Sequence, residues 1–488
     1  MGKFSKITTL HFWWKILPFV GWAVWGVLGF SRNLWYDEAY SAALVSNSWF
    51  DMLRITAADT HSPFYYALLK LCYHLAGGAA AAGGAGFWVL KQLSVLFMAG
   101  YLFLGKYYVR KLFDETISVY FMFASIAMPS MAVQAANVRM YALALFCMTL
   151  TGLAACDLYR EPKRWKWLVF CTASVASVYC HTFSMIQTAF WYLLFLAVIL
   201  LRKRYELLKG FLWNALVVSV SFSPWLVVTY IQLRLRMGDN PLGTASGVPT
   251  LYTFMDYCKE WFSALETPIS LVVLLGMGLA LLLGYCAIEQ MRRRACYIPA
   301  LGLTGAALTA LTGTLLSLYV NPCFLGRYIF PGFGSLALLY AFGLKEIISP
   351  QLKSVTVALV LTCFLLQYRS EFLLEYDEGL KTYEEFYARN VTEQDGFLSP
   401  NQHSVFLSVY HPQIPHFLYA YKPGNLPFQN IAALLEWEQL DEIEGSLWFI
   451  CLSGGTPKLL EPLYTYEKVL SFHYMYYDFV IYRCEKAF

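Results

Sequence analysis

Runs of about twenty apolar residues, each ended by polar or charged ones, recur along this chain and set its class. A helical run of that length spans the hydrocarbon of a bilayer. Eleven such segments are read near residues 14–31, 87–108, 116–136, 140–157, 167–186, 187–201, 211–231, 268–289, 296–319, 327–344 and 352–368. With 58% hydrophobic and 14% charged residues over 488 positions, a soluble domain is excluded. The expected fold is a polytopic α-helical membrane protein with about eleven transmembrane helices.

The net charge of +4 is too small to imply nucleic acid as a partner. The placement of Lys and Arg says more. Lys3/Lys6/Lys15, Lys106/Arg110/Lys111, Arg160/Lys163/Arg164, Arg202/Lys203/Arg204, Arg292/Arg293/Arg294 and Lys345/Lys353 all fall in alternate connections. The positive-inside rule assigns them to the cytoplasm, with the N-terminus inside and, after an odd number of spans, the C-terminus outside. No small-x-small cleavage pattern follows the first segment, so it is read as an uncleaved anchor. The expected location is the cell membrane, with the working face outside the cytoplasm.

This topology divides the chain into a transmembrane domain, 1–368, and an extracytoplasmic tail, 369–488. Within the first lie an outer loop, 32–86, and a second outer loop, 232–267, whose Gly, Asn, Pro and Ser content reads as flexible. In the first loop, "SAALVSNSWFDMLRI" and "SPFYYALLKLCYHLA" mix apolar and polar residues at helical spacing, as interfacial helices do. In the tail, acidic residues outnumber basic ones about two to one. There "GLKTYEEFYARNV" reads as a helix and "DGFLSP", "SVFLSVY", "GSLWFICL" and "YDFVIYRC" as strands, which predicts a small α/β domain. Most of the twelve Cys lie in apolar segments and read as small buried hydrophobes; Cys451 and Cys484 lie in the tail, where a disulfide is open to them.

Candidate site residues gather at the outward ends of the spans. Asp37 and Glu38 in "LWYDEAYS" follow the first span, and Asp59 and His61 in "DTHSPFYYALL" precede a Ser-Pro that opens a helix. Arg139 in "NVRMYALALF" lies where the third span turns into the fourth, and Arg327 in "FLGRYIFPGFG" begins the tenth. Each alone fits a bland reading: acidic span ends are solvated boundaries, and a lone Arg contacts headgroups. Two Arg, two Asp, a Glu and a His on one face fit it less well.

In this order, "LWYDEAYS", "DTHSPFYYALL", "RMYALAL" and "GRYIFPGFGSLALLYAFGL" resemble the motifs of GT-C-fold membrane glycosyltransferases. The resemblance is to the bacterial branch similar to protein O-mannosyltransferases and lipid A aminoarabinose transferases. It is strongest over residues 30–220, weaker to 345, and positional only in the tail. It implies a polyprenyl-phosphate-linked sugar as donor, an extracytoplasmic site, and Asp37 as the catalytic carboxylate. It also implies partners in an acceptor glycan, lipid or protein at the outer face and in membrane lipids. Some relatives carry Lys-Pro-Pro beside the acidic residue of the second motif, where this chain has His61-Ser62-Pro63.

The chemistry agrees with the resemblance. A sugar phosphate leaves without being protonated, so transfer requires one base for the acceptor hydroxyl and cations to hold the departing phosphate. Asp37 is the expected base of an inverting transfer, and Arg139 and Arg327 are the expected phosphate holders. Glu38 orients the acceptor or bonds backbone amides at its helix end; Asp59 shapes the site. For His61 three roles stay open: phosphate-binding cation, metal ligand or helix cap. A divalent ion bridging Asp37, Asp59 and phosphate, with His61, would be Mg²⁺, Mn²⁺ or, with imidazole, Zn²⁺. His181 reads more readily as a packed interface residue than as part of the site, and Tyr141 and Tyr328 as interface anchors. A transporter or flippase of lipid-linked saccharides is the alternative class, but it calls for half-repeats or ionisable residues at mid-membrane. A non-catalytic scaffold leaves the carboxylates unexplained.

Overall fold

The computed structural model describes residues 2–59, 61–78, 86–128, 130–238, 250, 257, 284, 288, 298–320, 323–347, 350–419, 426–461 and 463–487. Helices occupy Gly2–Leu28, Phe87–Leu112, Glu115–Ala127, Tyr141–Arg160, Arg164–Val178, Thr182–Leu201, Leu208–Gly238, Ile298–Tyr319, Phe333–Glu346 and Pro350–Glu375. Among the described residues, six helices are long and apolar enough to cross a membrane. Beyond Gly238, the outer loop expected over 232–267 lies outside the described residues apart from Thr250 and Tyr257; so does the span expected over 268–289, apart from Gly284 and Ile288.

Two boundaries differ from expectation. The segment 116–136 is not one helix: Met128 is extended (ψ 139°) and Ser130 left-handed (φ 68°) before a short helix, Met131–Ala136. Met128 precedes a proline in the sequence, and that neighbour disfavours the helical region. The boundary expected at 186/187 lies instead at Tyr179–His181. There His181 Nδ1 accepts the Phe183 N–H at 3.1 Å and caps the following helix.

The chain divides into two compact units. The first comprises Met1–Val27, Thr60–Tyr65 and Ser94–Glu371; the second comprises Leu28–Asp59, Tyr66–Leu93 and Phe372–Phe488. In the first, small residues let backbones close up: a Cβ on Gly334 would overlap Thr149 Oγ1, and one on Gly332 would overlap Gln187 Nε2. Such approaches suit helices that pack without a hydrophobic driving force between them. Near the end of Tyr141–Arg160, Asp157 is buried and held by Lys166 and Lys111, each at 2.9 Å.

The second unit combines the first loop with the tail. The loop folds as helices Tyr36–Ser46, Trp49–Ala58 and Pro63–Leu75. Ser48 caps the second of these by accepting the Asp51 N–H at 3.0 Å. In the tail, helix Gly379–Asn390 precedes strands β1 (Gly396–Ser399), β2 (His416–Tyr419), β3 (Ile431–Leu434), β4 (Leu447–Leu452), β5 (Tyr464–Tyr474) and β6 (Tyr477–Lys486). Their order is β3-β2-β1-β4-β6-β5, parallel through β3, β2, β1 and β4 and antiparallel through β6 and β5. Strands β1 and β4 are buried on both faces, as their unbroken apolar runs require. Cys451 and Cys484 are free thiols in this core, Cys451 opposite Val480 and Cys484 opposite Leu447.

The tail is the α/β domain expected, with one element exchanged. "SVFLSVY" is not a strand: Asn401 Oδ1 accepts the Ser404 N–H at 3.1 Å and starts a helical turn, Gln402–Val405, that continues as a 3₁₀ turn to Tyr410. A short apolar run does not itself separate strand from buried helix. The loop and the tail share one compact unit.

Candidate active site

Asp37 and Glu38 sit in the first turn of Tyr36–Ser46, the positive end of its dipole. Burial separates them. Glu38 is 1% exposed, while Asp37 is only partly buried. Glu38 Oε2 accepts the Trp35 N–H at 3.2 Å, and Oε1 lies 3.5 Å from Lys91 Nζ. Lys91, fully buried near the start of helix Phe87–Leu112, also meets Glu375 at 2.6 Å. Of the two roles open to Glu38, the one it fills here is the backbone bond at the helix end. The Asp37 carbonyl accepts Ser41 Oγ at 2.9 Å.

Asp59 terminates Trp49–Ala58 and accepts a hydrogen bond from the Tyr40 phenol. Burial, and then the Asp59 charge, holds that phenol well above its usual range, so Tyr40 keeps the proton it donates. From the tail, His403 packs against Tyr36 with ring centroids 4.6 Å apart and planes tilted by 52°. Burial lowers its affinity for a proton, and the nearby Asp37 charge acts in the opposite sense.

The expected phosphate residues gather in the first unit. Arg139 lies between Met131–Ala136 and Tyr141–Arg160 and is 4% exposed. Its Nη2 is 2.8 Å from His61 Nε2. A guanidinium only donates, so His61 Nε2 accepts and the ring carries its proton on Nδ1. His181 accepts at Nδ1 from its cap, which leaves the proton on Nε2. Its ring is 6.0 Å from those of His61 and Tyr141 and 4.7 Å from that of Tyr328. Arg327 enters from the 3₁₀ turn Gly326–Gly332; its Nε donates to Tyr141 Oη at 3.0 Å and its guanidinium lies 5.9 Å from the Tyr328 ring.

His61, Arg139, His181 and Arg327 thus form one cluster, with Tyr141 and Tyr328 as its supports. Preorganised donors of this kind suit an oxyanion. Asp37, Glu38 and Asp59 belong to the second unit. Among the described residues no group of three or more His, Cys, Asp or Glu is arranged to hold a metal ion. His61 Nε2 faces Arg139.

Lys91, Glu375, Tyr40 and His403 were not singled out by the sequence. Lys91 had a signal, since a cation inside "FWVLKQLSVLF" is rare in an apolar segment and needs a partner. Glu375 lies 284 positions from it, which no local pattern bridges.

No family model and no curated protein matches the sequence. Solved structures do share the fold. ArnT from Cupriavidus metallidurans in the apo state matches with a TM-score of 0.64 at 13% identity, over 98% of this chain and 98% of that one. The same protein bound to undecaprenyl phosphate matches with a TM-score of 0.62 at 14% identity, over 96% of this chain and 98% of that one. The chain has the ArnT-like GT-C fold: a helical membrane body and a small sheet domain at its C-terminal end.

Proposed function

We propose that this chain is a membrane glycosyltransferase that moves a sugar from a polyprenyl-phosphate donor to an acceptor hydroxyl on the extracytoplasmic face. The observation that carries the reading is the donor cluster of buried Arg139, His61 and His181 with half-buried Arg327, whose chemistry suits a phosphate. The fold adds support, because ArnT binds undecaprenyl phosphate.

In this reading Arg139 and Arg327 hold the phosphate, with His61 Nδ1–H and His181 Nε2–H as neutral donors. Asp37, the more accessible of the acidic pair, takes the acceptor proton as the hydroxyl oxygen bonds to the anomeric carbon. The bond from that carbon to the phosphate oxygen breaks, and its electron pair leaves with the phosphate. Attack opposite the leaving group inverts the anomeric centre. Glu38 fixes the helix that carries Asp37, and Asp59, held by Tyr40, completes the acidic side. A divalent ion bound at Asp37 or Asp59 would add charge neutralisation at the phosphate, but each step above uses this chain's own side chains.

The test is to incubate membranes containing the protein with a panel of polyprenyl-phosphate sugars and to follow release of free polyprenyl phosphate. One member of the panel should be consumed faster than in membranes lacking the protein. Transport of an intact lipid-linked saccharide, with no release, would replace transfer by the flippase reading.

A further inference from the structure

The chain entering the Asp37 helix is bonded along its backbone by the tail. Leu34, fully buried, donates its N–H to the Tyr410 hydroxyl at 2.9 Å and to the Tyr474 hydroxyl at 2.8 Å. Tyr410 donates to the Arg32 carbonyl at 2.9 Å, and Tyr474 to the Leu34 carbonyl at 3.1 Å. The two phenol oxygens are 2.9 Å apart. Asn33 Nδ2 donates to the Asp377 carbonyl at 2.8 Å, and Ser31 Oγ to the Glu375 carbonyl. Four successive residues, Ser31 to Leu34, are therefore tied to the tail or to the segment leading into it, immediately before Trp35 caps the helix.

Both phenols are built into the tail. Tyr474 ends β5 and packs on Phe406, and Tyr410 packs on Phe87 at 5.6 Å. At Gly379 a Cβ would overlap the His473 carbonyl oxygen, so helix Gly379–Asn390 presses on the strand that delivers Tyr474. Burial raises both phenols above their usual range, so each keeps the proton it donates.

Resting on the glycosyl-transfer reading above, we infer that Tyr410 and Tyr474 are positioning residues for Asp37, which makes the tail domain part of the transfer machinery. The Ser31–Leu34 backbone fixes where the Tyr36–Ser46 helix starts and so where the Asp37 carboxylate is presented. A small displacement of a catalytic group from its working geometry slows the reaction without preventing binding.

The experiment uses the full-length protein in membranes, with the undecaprenyl-phosphate-linked sugar that wild-type membranes consume fastest. Tyr410→Phe/Tyr474→Phe keeps both rings and removes both hydroxyls. We expect turnover to fall about tenfold, as for two lost hydrogen bonds, with donor KM unchanged. The decisive comparison repeats the change in an Asp37→Asn background, where the further loss should be under about twofold because the positioned group is already gone. Unchanged turnover in the tyrosine variant, or the same tenfold loss in both backgrounds, overturns the positioning role. Wild-type-like activity of Asp37→Asn alone removes Asp37 as the base, and no release of polyprenyl phosphate by wild-type membranes overturns the transfer reading, so these failures are distinct from that of the positioning role. Should the double variant fail to fold, Tyr474→Phe alone is judged by the same comparison.

Discussion

His61 Nε2 and Arg139 Nη2 are 2.8 Å apart although 78 positions separate them in the chain. Arg139 is thereby held by a neutral ring that can itself donate from its opposite nitrogen, and the pair offers a divided set of donors rather than a single point charge.

The donor should sense the loss of either guanidinium. Arg139→Ala and Arg327→Ala each remove charge-assisted contacts worth about 1.5–3 kcal/mol, so the apparent donor affinity should fall roughly 10–150-fold. Donor saturation curves in membranes measure this. Unchanged saturation in both variants would take the phosphate away from this cluster.

Asp37→Asn keeps size and hydrogen bonding but cannot accept a proton, so turnover should fall about 10²–10⁴-fold. Donor affinity should be kept or tightened, because the transfer reading puts a negative charge beside the donor phosphate and the variant removes it. A well-expressed variant retaining more than about a tenth of the wild-type rate would move the search for the base to Asp59.

Lys91 is fully buried between Glu38 and Glu375. Lys91→Met strands both carboxylates and should destabilise the second unit by about 3–5 kcal/mol, the usual result of breaking a buried pair. Adding Glu38→Gln and Glu375→Gln should restore most of that loss. Thermal unfolding of the purified protein reads both outcomes, and a single variant as stable as wild type would show that the triad is not needed for the fold.

Acid should weaken the tail. His416 is buried against Phe397 with both ring nitrogens lacking a hydrogen-bond partner, and burial, aided by His411, pushes its pKa down to about 3. His411, stacked on Tyr387 at 3.4 Å, is pushed down to about 4. Both lie below the ordinary value of 6.5, so the unfolded chain binds more protons between the two values. The stability they contribute is present above about pH 6.5 and is lost as pH falls toward 4. Protease resistance of the tail, compared at pH 7.5 and pH 5, should drop, and His416→Leu should flatten the difference. An equal drop in that variant would assign the acid sensitivity elsewhere.

What could be read from the sequence follows from the range of the forces involved. A membrane span is encoded by about twenty consecutive residues, so the spans near 140–157 and 211–231 were legible where helices Tyr141–Arg160 and Leu208–Gly238 now lie. The turn at Tyr179–His181 was hidden, since the apolar run from 167 to 201 carries no charge and only a His cap interrupts it. In the tail β1, β4 and β6 were legible from their apolar runs. Strands β2 and β3 were missed for brevity, and β5 for the exposed polar residues scattered along it. The ordered motifs supplied Asp37, Asp59, His61, Arg139 and Arg327. Lys91–Glu375 and the phenols of Tyr410 and Tyr474 were not legible, because their meaning depends on partners hundreds of positions away.

Leu34 and Tyr474 are 440 positions apart, and they meet in one hydrogen-bonded unit. The ribosome makes Leu34 440 residues before Tyr474. At an elongation rate of about 5–20 residues per second, the interval is on the order of half a minute. Throughout it the Ser31–Leu34 backbone must wait on its side of the membrane for polar partners that have not yet been synthesised. Completion of the Asp37 helix is therefore bound to the synthesis of β5: a chain stopped short of β5 lacks the Tyr474 hydroxyl that anchors the Leu34 backbone.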